Sequence, residues 1–282
     1  MTTNLILQGL STQRSDIDRI AELAGGSRIV ALTENVYRVE DVRFSEALKA
    51  GIDGECFNAR LDYAFTPAGR RLDDFGLVAM DMDSTLITIE CIDEIADMQG
   101  LKPQVAEITE AAMRGEIEFR ESLTRRVALL KGLEASALQR VYDERLKLSP
   151  GAERMLEAIK AAGLKTLLVS GGFTFFTDRM KTRLGLDYTH SNELEVSDGK
   201  LTGRVTGGIV DAEEKMRTVE RVCADIGISP RKAIIMGDGA NDLKMMGISG
   251  MSVAFRAKPI VRAQADVALN FVGLDGILSL FE

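Results

Sequence analysis

The chain has little cysteine, one histidine and no long apolar run, and each shortage removes a class of protein. Cys56, Cys91 and Cys223 are too few and too scattered over 282 residues for a disulfide framework or a zinc cluster. Free thiols fit a reducing cytoplasm. No stretch approaches the ~20 apolar residues that a membrane-spanning helix needs. The N-terminus lacks the basic segment followed by an apolar core that marks a secretory signal. The single histidine, His190, falls near a predicted loop and reads as a surface residue. A net charge of -8 and a pI near 5.0 argue against a general nucleic-acid-binding surface. They leave an anionic substrate open, because local cations and metals decide that. Internal repeats and low-complexity tracts are also missing.

What remains is an ordinary globular composition, 45% apolar and 28% charged, with room for one large domain or two smaller ones. Residues 1–72 read as a small N-terminal α/β unit. Its pattern is a strand at Asn4–Gln8, a helix at Ser15–Ala24, a second strand within Ser27–Val39, a short helix around Phe44–Ala50 and a strand over Cys56–Phe65. Thr66–Arg71 reads as a linker, so residues 73–282 form the main domain.

Within it, a block at about 90–149 is helix-rich. Val105, Ile108 and Ala112, then Leu123, Val127 and Leu130, recur at helical spacing, punctuated by Gly100, Gly115 and Gly132. From Pro150 strands and helices alternate. Helices are expected at 152–162, 174–184 and 213–226, strands at Lys165–Val169, Lys232–Met236, 251–255 and 267–270, and a hairpin at Leu194–Val205. That order implies an α/β fold with a doubly wound, mainly parallel sheet, and the helical block becomes a cap inserted after the first strand.

Three polar clusters follow three apolar strand candidates. Asp81-Met82-Asp83-Ser84-Thr85 follows Leu77–Met80, Ser170-Gly171-Gly172 follows Lys165–Val169, and Gly237-Asp238-Gly239-Ala240-Asn241-Asp242 follows Lys232–Met236. Ligands of open α/β sheets gather beyond the carboxyl ends of the strands, so neighbouring strands would bring all three clusters to one edge. Two carboxylates two residues apart repel one another unless a cation, a shared proton or a transferred group lies between them. Carboxylate oxygens suit Mg²⁺, which keeps waters and a substrate phosphate among its ligands. Ser170 and the N–H groups after it could cradle phosphate oxygens, and Lys215 could add a compact positive charge. Taken singly, each of these is more often a turn or a solvated residue. Their order around the acidic pairs gives them weight.

In these motifs the chain resembles the haloacid dehalogenase superfamily of aspartate-dependent phosphotransferases, and more narrowly its phosphoserine phosphatases. The resemblance runs through residues 75–282. It implies Asp81 as nucleophile and Asp83 as acid/base. It further implies one Mg²⁺ per site, held by Asp81, the Asp83 carbonyl and Asp238, with Asp242 orienting the metal's waters or Lys215. Ser170, Gly171, Gly172, Lys215 and Asn241 would hold the phosphoryl group. Glu90 and Arg126 would take the ammonium and carboxylate of O-phospho-L-serine, the latter at the end of a Phe-x-x-Ser-Leu-x-x-Arg-Val pattern that starts at Phe119. Met113 and Phe119 would close an apolar lid. The implied activity is hydrolysis to serine and phosphate, the last step of serine biosynthesis.

Phosphohomoserine or phosphothreonine phosphatase or phosphotransferase is the alternative within the same chemistry. A phosphoaspartate receiver lacks a helical insertion of this size. In long relatives the N-terminal position holds a small regulatory, ACT-like unit. Here it would bind an effector, support a homodimer or simply cover the core.

Overall fold

The computed structural model of the protein describes residues 2–113 and 116–282, Met113 by its backbone alone. Six elements open the chain: β1 (Thr3–Gly9), α1 (Arg14–Ala24), β2 (Arg28–Thr33), β3 (Val36–Val42), α2 (Glu46–Asn58) and β4 (Leu61–Pro67). The strands lie in the order β2-β3-β1-β4, all antiparallel, which is the split arrangement of ferredoxin-like units. Leu5, Leu7, Ile17, Ile20, Val39 and Ile52 fill a core beneath it.

Two stretches here differ from the sequence pattern. Ser27–Val39 holds most of a two-strand hairpin rather than one strand. Helix α2 runs through Gly51 and Gly54 to Asn58, so Cys56–Asn58 are helical and the strand begins only at Leu61. The helix tolerates two glycines because Ile52 and Cys56, one turn apart, are both buried. Ser45 also caps it, its hydroxyl accepting from the Leu48 N–H at 3.1 Å.

The second part begins with β5 (Leu77–Met80), buried at every position as a central parallel strand requires. Among the described residues four α-helices follow: α3 (Cys91–Asp97), α4 (Lys102–Met113), α5 (Phe119–Leu129) and α6 (Ser136–Glu144). They stand over the end of β5 as a cap whose neck is closed by pairing of Ile87 with Leu148. Alternation then resumes with α7 (Ala152–Ala161), β6 (Lys165–Phe173), α8 (Thr174–Leu184), β7 (Tyr188–Ser197) and β8 (Lys200–Thr206). It continues through α9 (Ala212–Asp225), β9 (Ala233–Gly237), α10 (Leu243–Gly247), β10 (Met251–Phe255), α11 (Pro259–Gln264) and β11 (Val267–Leu269). His190 is not in a loop. It lies within β7, whose first half pairs in parallel with β6 before the hairpin starts, and its Nε2 is 3.3 Å from Glu214.

All strands join one sheet in the order β2-β3-β1-β4-β11-β10-β9-β5-β6-β7-β8. From β11 to β7 every neighbour is parallel. The chain winds outward from β5 through β6 and β7 on one side, and through β9, β10 and β11 on the other. The switch point therefore lies between β5 and β9, where doubly wound folds open a crevice at the carboxyl edge.

The N-terminal unit is tied in where β4 meets β11 at Tyr63 and Ala268. Buried Asp62 accepts from the backbone N–H groups of Asn270, Phe271 and Val272 at 2.7, 2.9 and 2.9 Å. A cavity of about 840 Å³ lies beside this junction, between α2, β4 and α11, away from the carboxyl edge of β5. Among the described residues no helix is long and apolar enough to cross a membrane.

Candidate active site

Asp81 is the first residue beyond β5, and the backbone there makes one tight turn over Met82–Leu86. Ser84 sits at φ 58° within it, in the left-handed region that costs a non-glycine residue energy and persists only where its surroundings enforce it. The enforcing contacts are local. Ser84 N–H donates to the Ile89 carbonyl at 3.2 Å, and its hydroxyl donates to Glu90 Oε1 at 2.6 Å. The turn thus sets Asp81, Asp83 and Glu90 on one short loop above the sheet edge.

Lys215, on the first turn of α9, reaches into this edge and is wholly buried. Its Nζ donates to Asp81 Oδ1 at 2.7 Å and to Asp242 Oδ1 at 2.8 Å. Burial alone would lower the lysine pKa, but Asp242 and Asp81 outweigh it and hold Lys215 above its ordinary value, fully charged. Asp242 is committed on its other oxygen too. Oδ2 accepts the N–H groups of Asp238 and Gly239 at 3.2 and 3.1 Å and fixes the loop after β9.

The carboxyls divide by environment. Burial pushes Asp81 up to about 7 against the pull of Lys215, with Asp242 adding to the rise. Asp238 goes to about 8 through burial and the nearby Asp81 and Asp242. Desolvation, Glu90 and Asp81 together push Asp83 well above the carboxylate range, although its Oδ1 accepts the Cys91 N–H at 3.3 Å. One oxygen from each of Asp81, Asp238 and Asp242 falls within 4.8 Å of the others. Hard oxygen donors that are costly to ionise together fit a divalent cation such as Mg²⁺. Because Lys215 and two N–H groups already occupy Asp242, Asp81 and Asp238 are the carboxylates with room for it.

The Ser170-Gly171-Gly172 segment, the expected phosphate cradle, lies alongside. Ser170 is buried near the end of β6, and its hydroxyl accepts from the Gly172 N–H at 2.9 Å. A Cβ on Gly172 would stand 2.7 Å from Asp83 Oδ2 and 3.0 Å from Ser170 Oγ, so only glycine lets the two loops approach this closely. Asn241 lies half-buried in the loop after β9.

The cap supplies the far wall. A Cβ on Gly171 would come within 3.0 Å of Phe119 Cζ, which seats that ring over the cradle. Arg126, two turns further along α5, is half-buried. Burial lowers its pKa, while Asp93, Glu90 and Asp83 raise it, so the guanidinium faces the acidic loop. Arg125, in contrast, is exposed and bound to Glu121 at 2.5 Å. The Met113 side chain and Gly115 lie outside the described residues.

The structure thus brings Asp81, Asp83, Glu90, Phe119, Arg126, Ser170, Gly171, Gly172, Lys215, Asp238 and Asp242 around one crevice. It adds residues that no local motif signals. Buried Asn192 on β7 donates to the Gly171 carbonyl at 2.7 Å and accepts from the Val210 N–H at 2.8 Å, which fixes the cradle from behind. Lys258, whose N–H holds the Asp238 carbonyl at 3.0 Å, adds a positive charge that acts on Glu90. Each lies far in sequence from the group it serves, so spacing could not reveal it.

Residues 78–247 match the haloacid dehalogenase-like hydrolase family, and residues 5–52 match a domain of unknown function (DUF4072). A phosphoserine phosphatase of Polaromonas sp. is 61% identical over 215 residues, covering 74% of this chain and 91% of that protein. The crystal structure of a haloacid dehalogenase family hydrolase from Salmonella enterica serovar Typhi superposes with a TM-score of 0.90 at 33% identity, covering 99% of each chain. The unliganded structure of a probable phosphoserine phosphatase from Vibrio cholerae superposes with a TM-score of 0.83 at 34% identity. That match covers 99% of this chain and 86% of the other.

Proposed function

The chain belongs to the phosphoserine phosphatases of the haloacid dehalogenase-like hydrolase family, and on that premise we propose that it hydrolyses O-phospho-L-serine with Mg²⁺ through an aspartyl-phosphate on Asp81. The observation that carries the reading is Lys215 held between Asp81 and Asp242 beside Asp238, under a cap bearing Arg126.

Asp81 would attack phosphorus in line and split one difficult hydrolysis into two steps. Lys215 pulls against burial to favour the ionised form of this carboxylate and remains close enough to meet a phosphoryl oxygen. Asp83, pushed toward its protonated form, would give its proton to the departing serine oxygen and later take one from the attacking water. Ser170, the N–H groups of Gly171 and Gly172, and Asn241 would hold the remaining phosphoryl oxygens as charge redistributes. Asp81, Asp238 and the Asp83 carbonyl would hold Mg²⁺, which supplies charge neutralisation between acids and phosphate, while Asp242 orients Lys215. Glu90 and Arg126 would select the amino-acid head of the substrate, and Phe119 would exclude water.

A steady-state screen of O-phospho-L-serine, phosphohomoserine, phosphothreonine and an aryl phosphate, with Mg²⁺ and with chelator, tests this reading. The highest kcat/KM is expected for phosphoserine with Mg²⁺, and chelation should abolish turnover. Phosphohomoserine or phosphothreonine as the best substrate would move the assignment to the alternative. Transfer to an added alcohol in preference to water would make the chain a phosphotransferase.

The division at residue 72 and a regulatory or dimer-forming role for the first unit belong to the same proposal. The free, buried state of all three cysteines supports a cytoplasmic setting. Serine inhibition and sedimentation of the full chain would test regulation and assembly.

A further inference from the structure

We propose that Arg120 and Asp211 form a latch between cap and core that holds the active site closed, with Arg120 acting as a positioning residue. The proposal rests on the catalytic reading of Lys215 and Phe119 given above.

Asp211 is the residue that starts α9, and all its acceptors are engaged in different directions. Its Oδ1 accepts the Glu214 N–H at 2.9 Å and caps the helix. Its backbone carbonyl accepts the N–H of Lys215 itself at 2.9 Å. Its Oδ2 accepts from Arg120 Nε at 2.6 Å, and Arg120 belongs to the cap. One residue therefore joins the helix that carries Lys215 to the helix that carries Phe119 and Arg126.

The two ends of α5 are held differently. Beyond its C-terminus, the Gly132 N–H meets the Leu201 carbonyl and the Leu201 N–H meets the Leu133 carbonyl, both at 2.8 Å, so the cap is sewn to β8 by backbone bonds. The start of α5, where Phe119 covers Gly171, meets α9 through two side chains. A fixed end and an end held by side chains make a hinged cover. Substrate has to pass between cap and core, so the holding contact must break at each turnover.

The pair suits that demand. The Arg120 side chain is 57% exposed and that of Asp211 18%, so water reaches the arginine while the carboxylate stays fixed by its capping bond. Exposed ion pairs of this kind are weak enough to open readily. Burial would raise the Asp211 pKa, but the Glu214 N–H and Arg120 outweigh it and hold the carboxyl below its ordinary range, so it stays charged at neutral pH.

The test uses the full chain with Mg²⁺ and O-phospho-L-serine. The variants are Arg120→Ala, Arg120→Lys, Asp211→Asn and the Ala/Asn double variant, asparagine being chosen because it still caps a helix. Each neutralising variant should lower kcat/KM roughly three- to fivefold, the reach of one exposed ion pair. The double variant should lose no more than either single one, and Arg120→Lys should recover most of the activity. In substrate-free protein, hydrogen exchange over residues 119–126 should rise in both single variants with an unchanged denaturation midpoint. Additive losses with a lowered midpoint would show a merely structural role. Unchanged exchange and unchanged kcat/KM in both single variants would overturn the latch. If the wild-type chain does not hydrolyse phosphoserine, the functional reading fails by itself, and the exchange measurement still decides the latch.

Discussion

Lys215 donates to Asp81 at 2.7 Å although the two residues lie 134 positions apart, and neither has meaningful contact with solvent. This pair joins the first turn of α9 to the residue just past β5, so the carboxylate and its cation are fixed by the architecture rather than by a flexible loop.

Replacing Lys215 with methionine keeps the volume and removes the charge. Asp81 and Asp242 would then face each other without a cation, and breaking a buried pair costs about 3 kcal/mol. Denaturant titration should show that loss. Activity on phosphoserine should fall about 100-fold or more, as when a preorganised donor to a transition state is removed.

Asp83→Asn keeps the shape of the side chain and the carbonyl that accepts from Cys91, but removes its proton. Loss on phosphoserine, whose leaving group needs protonation, should be about 10²- to 10⁴-fold. Loss on an aryl phosphate, which departs without help, should be far smaller. The acid works while protonated, so the first step should slow as pH rises through its elevated pKa. In the variant that alkaline limb should vanish.

Two glycines should respond in opposite ways to alanine. At Gly172 the new methyl would meet Asp83 Oδ2 at 2.7 Å and Ser170 Oγ at 3.0 Å, with an overpacking cost of about 1–3 kcal/mol and a loss of turnover. At Gly54, in the middle of α2, a Cβ meets nothing within 4 Å. Gly54→Ala should raise stability by about 0.4–1 kcal/mol through a less flexible unfolded chain. Its kcat should be unchanged.

The acid cluster predicts opposite pH trends with and without metal. Asp81 and Asp238 titrate near 7 and 8 in the folded protein, above the ~4 of an unfolded aspartate. Between those values the folded state binds more protons, so with chelator present stability should fall as pH rises from about 5 to 8. Mg²⁺ needs the carboxylates ionised, so its affinity should rise over the same range and binding should release protons. Calorimetry in buffers of different ionisation enthalpy reads that release directly. Metal affinity that is flat from pH 6 to 8 would count against it.

Much of this was legible in the chain because burial on both faces leaves a plain mark. β5 and β9 are short apolar runs, and each ends in the polar cluster that the sheet edge then brings together. Helices α4 and α5 were equally clear from the spacing of Val105, Ile108 and Ala112 and of Leu123 and Val127. Helix α2 was not, because its glycines weaken the local signal and packing of Ile52 and Cys56 overrides them. The turn Glu34–Asn35 that splits β2 from β3 is only two residues long between apolar stretches, which hid it. Ser84, Asn192 and the pair Arg120–Asp211 were invisible for another reason. Each acts through a contact between distant segments or a backbone angle, and composition and spacing carry neither.

The central claim is that Asp81 carries the phosphoryl group during turnover. Acid quenching of the protein during steady-state hydrolysis of O-phospho-L-serine, followed by peptide mass spectrometry under acidic conditions, measures it most directly. The expected result is one added phosphoryl mass on Asp81, absent in Asp81→Asn together with all turnover. A phosphoryl group on another residue, or full turnover by Asp81→Asn, would contradict the account.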